Sequence, residues 1–456
     1  MVGSLIGVVE SNKSMMEKAN KLLIDNNIRF LLASFSDIHG ASRAKLVPVG
    51  RLDSVIETGA GFAGFAVGNL GHGPDDPDIL CIPDLRSLTI LPWKKDIAWT
   101  AGTLTEDGSP WPYCTRTVLL KVTERARKLG FTMKTGVEPE FFLLKKDEAG
   151  ELKLFDEMDI EEKPCYQQQA LMRNIEFLST LIDYMNELGW AVTQADHEDA
   201  NGQFEINFGF SDVVSTSDRH TFFKYMVRTM AEDRGLVSTF MPKPFSNLTG
   251  NGCHMHLSLW DVDGENNLFQ DPFDQNGFGL SKTAYHFIAG IMRHAKALAA
   301  IVCPTVNSYK RLTAKITSSG ATWAPNFVSY GGNNRTQMIR IPDGGRIEFR
   351  AMDGAANPYL ASAAILAAGL DGIEKGFEPG DPFKGNLYDL RNQLTDLNRL
   401  PENLKEAVDA LEDDTVLISA LGEEFMETYM KQKRSEWDEY HEFISSWEIE
   451  KYLKGY

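Results

Sequence analysis

Cysteine is scarce. The five present in 456 residues, Cys81, Cys114, Cys165, Cys253 and Cys303, are an odd number with no Cys-x-x-Cys spacing, so neither a disulfide framework nor a thiolate zinc site is indicated. That usage points to a reducing cytoplasm. Basic residues are outnumbered, 46 Lys and Arg against 64 Asp and Glu, which leaves a net charge of -18 and a pI near 5.0. Such a surface does not suit phosphate backbones or anionic membranes, which require a basic face. The apolar start Leu5 to Val9 has no basic residue ahead of it and is too short for a signal or membrane segment. The Gly-x-x-x-x-Gly-Lys-Ser/Thr phosphate loop is also missing, so any nucleotide must be held by another device. There is no repeat, low-complexity tract or long linker.

What the chain does have is ordinary globular composition, 43% apolar, over a length that suits two domains. A short helix is expected from Ser14 to Leu23, then a strand from Ile28 to Phe35, the turn Ser36 to Gly40, and strands near Ile79 to Ile82 and Thr89 to Leu91. Pro83, Pro92, Pro110 and Pro112 punctuate this small α+β unit. The division is therefore set at 1–111 and 112–456. Beyond it, helices are expected over Thr117 to Leu129, Gln168 to Leu188, His220 to Val237, Ala284 to Ile301 and Pro358 to Ile373, with an acidic helical tail from Asn403 to Tyr452.

The larger part is organised around Gly136-Val137-Glu138-Pro139-Glu140-Phe141-Phe142. A strand alternates faces with period two, so Glu138 and Glu140 share one face while Val137, Pro139 and Phe141 share the other. A lone Glu-x-Glu is usually a solvated face. Here the pattern recurs: Gln203, Glu205 and Asn207 oppose Phe204, Ile206 and Phe208; His254, His256 and Ser258 share a face; Arg346, Glu348 and Arg350 oppose Ile347 and Phe349. Four such strands would pave one curved antiparallel sheet with a charged concave side.

With Glu198, that face gathers five carboxylates and the imidazole of His254. An oxygen-rich set with one nitrogen suits Mg2+ or Mn2+ better than zinc. The bland alternative pairs the acids with Arg311, Arg335, Arg340, Arg346 and Arg350 as salt bridges. Cations and arginines together are what phosphoryl transfer uses.

These residues resemble the glutamine synthetase family. Gly-Val-Glu-Pro-Glu-Phe-Phe at 136–142, His-Glu-Asp-Ala-Asn-Gly-Gln-Phe-Glu at 197–205, Gly-Asn-Gly-Cys-His-Met-His at 250–256, Asn-Ser-Tyr-Lys-Arg-Leu at 307–312, Asn-Arg-Thr-Gln-Met-Ile-Arg-Ile-Pro at 334–342 and Arg-Ile-Glu-Phe-Arg at 346–350 occur in the family's order. The resemblance implies a small N-terminal β-grasp domain and a catalytic domain with a curved sheet. It also implies two stacked hexameric rings, a dodecamer, with active sites between neighbours.

Carried over residue by residue, it assigns Glu140, Glu198 and Glu205 to a first metal and Glu138, His254 and Glu348 to a second, with two to three ions per site. Arg311 and Arg350 fall near the glutamate carboxylates, Arg335 and Arg340 near the transferred phosphate, and Gly250 and His256 at the substrate pocket. Ser258 and Arg346 fall on the ATP side. Asp37 falls in a loop that reaches a neighbouring subunit's site and deprotonates the amine. The implied activity is ATP-dependent ligation of glutamate to ammonia or a small amine through a γ-glutamyl phosphate. A catalytically reduced relative acting as a structural or regulatory ligand-binding protein is the alternative, and a phosphagen kinase is disfavoured by the histidine motif.

Two departures stand out. The flap segment Thr313 to Pro325, which in the family usually carries a glutamate, has no acid, and Thr249 stands where an asparagine is usual. Both resemble the branch containing γ-glutamylmethylamide synthetases and type III glutamate-ammonia ligases. An acid-free flap with Trp323 is expected to favour methylamine at least as much as ammonium.

Overall fold

Strand Thr132–Lys146 runs for 15 residues and is the axis of the larger sheet. In the computed structural model, which describes all residues except 1, 69, 71, 315, 316, 391–396 and 456, the order across that sheet is Val192–His197, Gln203–Phe208, Thr132–Lys146, Cys253–Trp260, Ile347–Phe349, Ile339–Arg340 and Tyr330–Gly331. All neighbours on this path are antiparallel except the last pair. The four expected strands are thus contiguous. Their apolar faces supply Val137, Phe141, Phe204, Ile206, Met255, Ile347 and Phe349 to one continuous core, and burial of that face fixes the register, since a one-residue slip would turn every carboxylate inward.

Helix Pro358–Lys375 lies at the centre of that core, buried from Pro358 to Gly372. Five alanines and two glycines among its 18 residues let the Lys282–Arg293 and Thr115–Lys128 helices approach closely. Asn357 caps it: the side-chain Oδ1 accepts from Tyr359 N at 3.0 Å and Leu360 N at 3.3 Å.

The N-terminal unit is a mixed sheet ordered Ser42–Pro48, Phe30–Ser36, Ile97–Glu106, Asp78–Pro83, Ala60–Ala63. Phe30–Ser36 is parallel to Ile97–Glu106 and the other neighbours on this path are antiparallel. Helices Val2–Asp25 and Leu52–Thr58 supply Ala19, Leu23, Leu52, Val55 and Ile56 to its own small core. This is the expected α+β arrangement. Arg116, on the first helix after the division, ties the two parts together. Its Nη1 lies 2.9 Å from Asp84 of the small unit, while Nε and Nη2 form a bidentate pair with Asp218 at 2.9 Å.

Several helices differ from the sequence expectation. The first spans Val2–Asp25, well beyond Ser14 to Leu23, and the helix expected from His220 begins at Val213 because Asp212 accepts from Val214 N and Ser215 N. Two expected continuous helices are broken. Gln168–Arg173 and Ile175–Glu187 meet at Asn174, whose amide donates to Ala170 O at 2.9 Å. Lys282–Arg293 and Ala295–Val302 meet at His294, turned between two aspartates. In both places a polar side chain competes with the helix ladder, a signal that apolar spacing does not carry. Among the described residues no helix is long and apolar enough to cross a membrane.

Candidate active site

Strand register assembles the charged face. Glu140 lies opposite Glu205, Glu138 opposite His254, and His256 opposite Glu348. Glu198 joins from the turn ahead of Gln203, its Oε2 accepting from Asp199 N at 3.1 Å. Among the described residues, ligand atoms of Glu138, Glu205 and His254 lie within 4.8 Å of one another, as do those of Glu138, His256 and Glu348. Glu138 is common to both groups. Glu205 and His256 thus each lie close to Glu138, and His254 Nδ1 faces both Glu138 and Glu348.

The backbone comes close at Gly252. A Cβ there would fall 2.9 Å from Glu140 Oε1, 2.9 Å from Arg311 Nη2 and 3.0 Å from His254 Nε2. Only glycine lets those three groups converge. Glu140 Oε2 accepts from Gly252 N at 2.7 Å and from Gln203 Nε2 at 2.9 Å; Gln203 Nε2 also lies 3.1 Å from the Gly250 carbonyl.

The electrostatics are polarised across this face. Burial opposes the charge on Glu138, but His254 and His256 beside it outweigh burial and hold its carboxyl far below the usual range. Burial likewise opposes Glu348, yet Arg350, the two histidines and Arg340 hold it down at about 2. On the other side burial and neighbouring carboxylates dominate. Burial, then Glu140, pushes Glu198 up to about 8, and burial followed by Glu198, Glu138 and Glu140 pushes Glu205 well above its ordinary value. His254 Nδ1 faces Glu138 at 3.5 Å and Glu348 at 3.7 Å, whereas its Nε2 is buried without a hydrogen-bond partner. A buried unpaired imidazole nitrogen among crowded carboxylates fits a hard divalent cation with one nitrogen ligand.

The arginines divide into two sets. Arg340 Nη1 donates to Glu348 Oε2 at 2.6 Å, and Arg350 Nη1 pairs with Glu348 Oε1. Arg311 is buried and donates to Ala351 O at 3.0 Å and Arg350 O at 3.3 Å. Arg335 is exposed, its charge acting on Tyr166.

A cavity of about 570 Å³ opens beside Glu138 and His256, and both Ser258 and Arg346 line it. So do Lys134, Phe210 and Trp260, which the sequence reading did not single out. Lys134 Nζ sits 3.9 Å from the Trp260 ring centroid, a cation–π contact, and Trp260 Nε1 donates to Ser258 Oγ at 2.9 Å. The signal was available for Lys134: it precedes Glu138 by four residues and therefore shares its strand face.

Asp37 is not brought to this face. Its Oδ1 accepts from His39 N at 3.0 Å and Ala41 N at 2.9 Å, its Oδ2 from Arg43 Nε at 2.9 Å, and its carbonyl from Asn357 Nδ2 at 2.8 Å. Of the flap, Lys315 and Ile316 lie outside the described residues. Trp323 is in the left-handed region at φ 53°, and its carbonyl accepts from Arg350 Nη2 at 3.3 Å.

Comparison with known proteins is consistent along the chain. The family pattern described as glutamine synthetase, catalytic domain, matches residues 112–452. A glutamine synthetase of Rhizobium leguminosarum bv. phaseoli is 49% identical over 424 residues, 93% of this chain and 96% of the relative. A glutamate–methylamine ligase of Methyloversatilis universalis is 46% identical over 441 residues, 96% of this chain and 99% of the relative. A solved structure described as a GmaS/ADP complex superposes with a TM-score of 0.90 at 49% identity, covering 95% of this chain and 98% of the other.

Proposed function

We propose, for a chain that belongs to the glutamine synthetase family, that it joins the γ-carboxylate of L-glutamate to ammonia or methylamine with consumption of ATP. The enzyme is an ATP-dependent ligase. The observation that carries this reading is the register that sets Glu138 against His254 and His256 against Glu348 on one charged face.

A carboxylate is a poor acylating agent because its leaving group would be oxide. In the first step a glutamate γ-oxygen attacks the terminal phosphorus of ATP and ADP leaves. In the second the amine nitrogen attacks the acyl carbon, phosphate leaves, and the amine gives up a proton. Arg311 and Arg350 are the proposed holders of the glutamate carboxylates, with Gly250 and His256 shaping that pocket. Arg335 and Arg340 balance the charge of the phosphate in transfer. Ser258 and Arg346, both on the 570 Å³ cavity, bind the nucleotide. Glu138, Glu140, Glu198, Glu205, His254 and Glu348 would hold Mg2+ or Mn2+, two to three ions per site, and when bound these supply the positive charge that draws phosphate and carboxylate oxygens together.

Asp37 is proposed to serve a neighbour's site in a dodecamer of two stacked hexamers. Support comes from Ser42–Pro48, the edge strand that follows it, which is exposed along nearly all its length. A cytoplasmic setting is supported by free cysteines, of which Cys81, Cys114, Cys253 and Cys303 are buried. The test is ADP release with glutamate plus, separately, ammonium, methylamine, ethylamine and a polyamine. Glutamate-dependent release with ammonium or methylamine is expected, and its absence with every amine would overturn the reading.

A further inference from the structure

The segment after residue 316 carries no acid, yet it is fastened at both sides of the charged face. At one side Ser319 Oγ donates to Asp199 Oδ2 at 2.5 Å; at the other the Trp323 carbonyl accepts from Arg350 Nη2. Ser318 N adds a bond to Asn247 O at 2.8 Å. Asp199 Oδ2 also accepts from Thr249 Oγ1 at 2.5 Å, so the two departures from the family pattern, Thr249 and the Ser-rich flap, meet on one buried carboxylate oxygen. Asp199 is in turn joined to the candidate metal ligands, because its backbone N–H donates to Glu198 Oε2.

We propose that Asp199, through Thr249 and Ser319, is a positioning residue that latches residues 317–325 beside the charged face while the amine attacks. The inference rests on the ligase reading above. An acyl phosphate can lose its phosphate to either of two nucleophiles. When the amine nitrogen forms the new bond the products are amide and phosphate. When a water oxygen forms it, glutamate and phosphate return and ATP has been hydrolysed without product. A segment pinned from Asp199 to Arg350 keeps water from the acyl carbon. A glutamate on the flap would supply negative charge as well as closure; here the hydroxyl latch supplies closure without adding an acid to the flap.

The test compares Ser319→Ala and Thr249→Val with the unmodified enzyme, reading ADP and amide in parallel at saturating glutamate, and KM for amine and for glutamate. Stoichiometric ADP and amide are expected from the unmodified enzyme. In Ser319→Ala, ADP should exceed amide several-fold and amine KM should rise while glutamate KM holds, with Ser319→Thr restoring the balance. Thr249→Val should act in the same direction and carries the test alone should Ser319→Ala not fold. Stoichiometric turnover in the folded variants would overturn the latch while leaving the ligase reading intact. Absence of glutamate-dependent ADP release from the unmodified enzyme would instead overturn the ligase reading.

Discussion

Arg116 holds Asp218 by two parallel bonds, Nε to Oδ1 and Nη2 to Oδ2, both at 2.9 Å, in an environment where the guanidinium is 3% exposed. Tyr359 Oη donates to the same Asp218 Oδ1 at 2.8 Å. Asp84 retains Arg86 as a second partner, whereas among the described residues Asp218 is ion-paired with Arg116 alone. Arg116→Met therefore strands a buried carboxylate, a change that typically costs about 3–5 kcal/mol. Denaturant unfolding of Arg116→Met should show a loss of that size, and Arg116→Met with Asp218→Asn together should lose less than the sum of the single changes.

Glu140→Ala and Glu348→Ala should each abolish amide formation and leave assembly intact. Glu140→Ala removes one carboxylate from a crowded face, whereas Glu348→Ala also takes the partner from Arg340 and the buried Arg350, so its loss of ion binding is accompanied by a loss of stability. Steady-state turnover with either variant near that of the unmodified enzyme would refute the ligand assignment. Chelation should remove activity, and Mg2+ or Mn2+ should restore it; recovery with zinc alone would show that the oxygen-rich set had been misjudged.

Methylamine should be used at least as efficiently as ammonium. The described part of the flap carries no acid, which removes a negative charge that would attract ammonium, and Trp323 is 36% exposed with its carbonyl fixed to Arg350. One buried methyl group contributes on the order of 0.8 kcal/mol, a several-fold preference and not absolute selectivity. The measurement is kcat/KM for each amine. A large advantage for ammonium would show that the missing flap charge is supplied from elsewhere.

Stability should depend on pH through His294. Burial opposes its charge, but Asp414 at 2.6 Å and Asp371 at 3.1 Å more than offset burial and raise its pKa above the ordinary 6.5. Since the folded value is the higher one, His294 stabilises the fold fully below about 6.5, and that contribution is lost as pH rises through the raised folded value. Lys375 also pairs with Asp371 at 2.8 Å and keeps that carboxylate partnered throughout. Thermal unfolding across this interval should show the loss in the unmodified chain, and His294→Gln should flatten it.

Much of this was legible in the chain because period-two alternation specifies which side chains share a face. Glu138, Glu140, Glu205, His254 and Glu348 could be placed together before any coordinates, since each alternates with a residue now in the core. Pairing between strands was not legible, and it is pairing that sets Glu205 opposite Glu140, His254 opposite Glu138 and His256 opposite Glu348. Helix breaks at Asn174 and His294 were equally hidden, because they depend on partners distant in sequence or on a side chain competing with the backbone. The surroundings of Asp37 were hidden for the same reason. Its carboxylate is engaged within its own turn and with Arg43, so Asp37→Ala alters the loop as well as any chemistry.

Asn357 uses both ends of one amide: Oδ1 starts the buried helix, and Nδ2 grips the carbonyl of Asp37. The start of the central helix and the seating of the N-terminal loop therefore share one side chain. Loosening the helix start removes a contact that seats the Asp37 turn, and the placement of that turn is tied to the most deeply buried helix of the larger sheet's core.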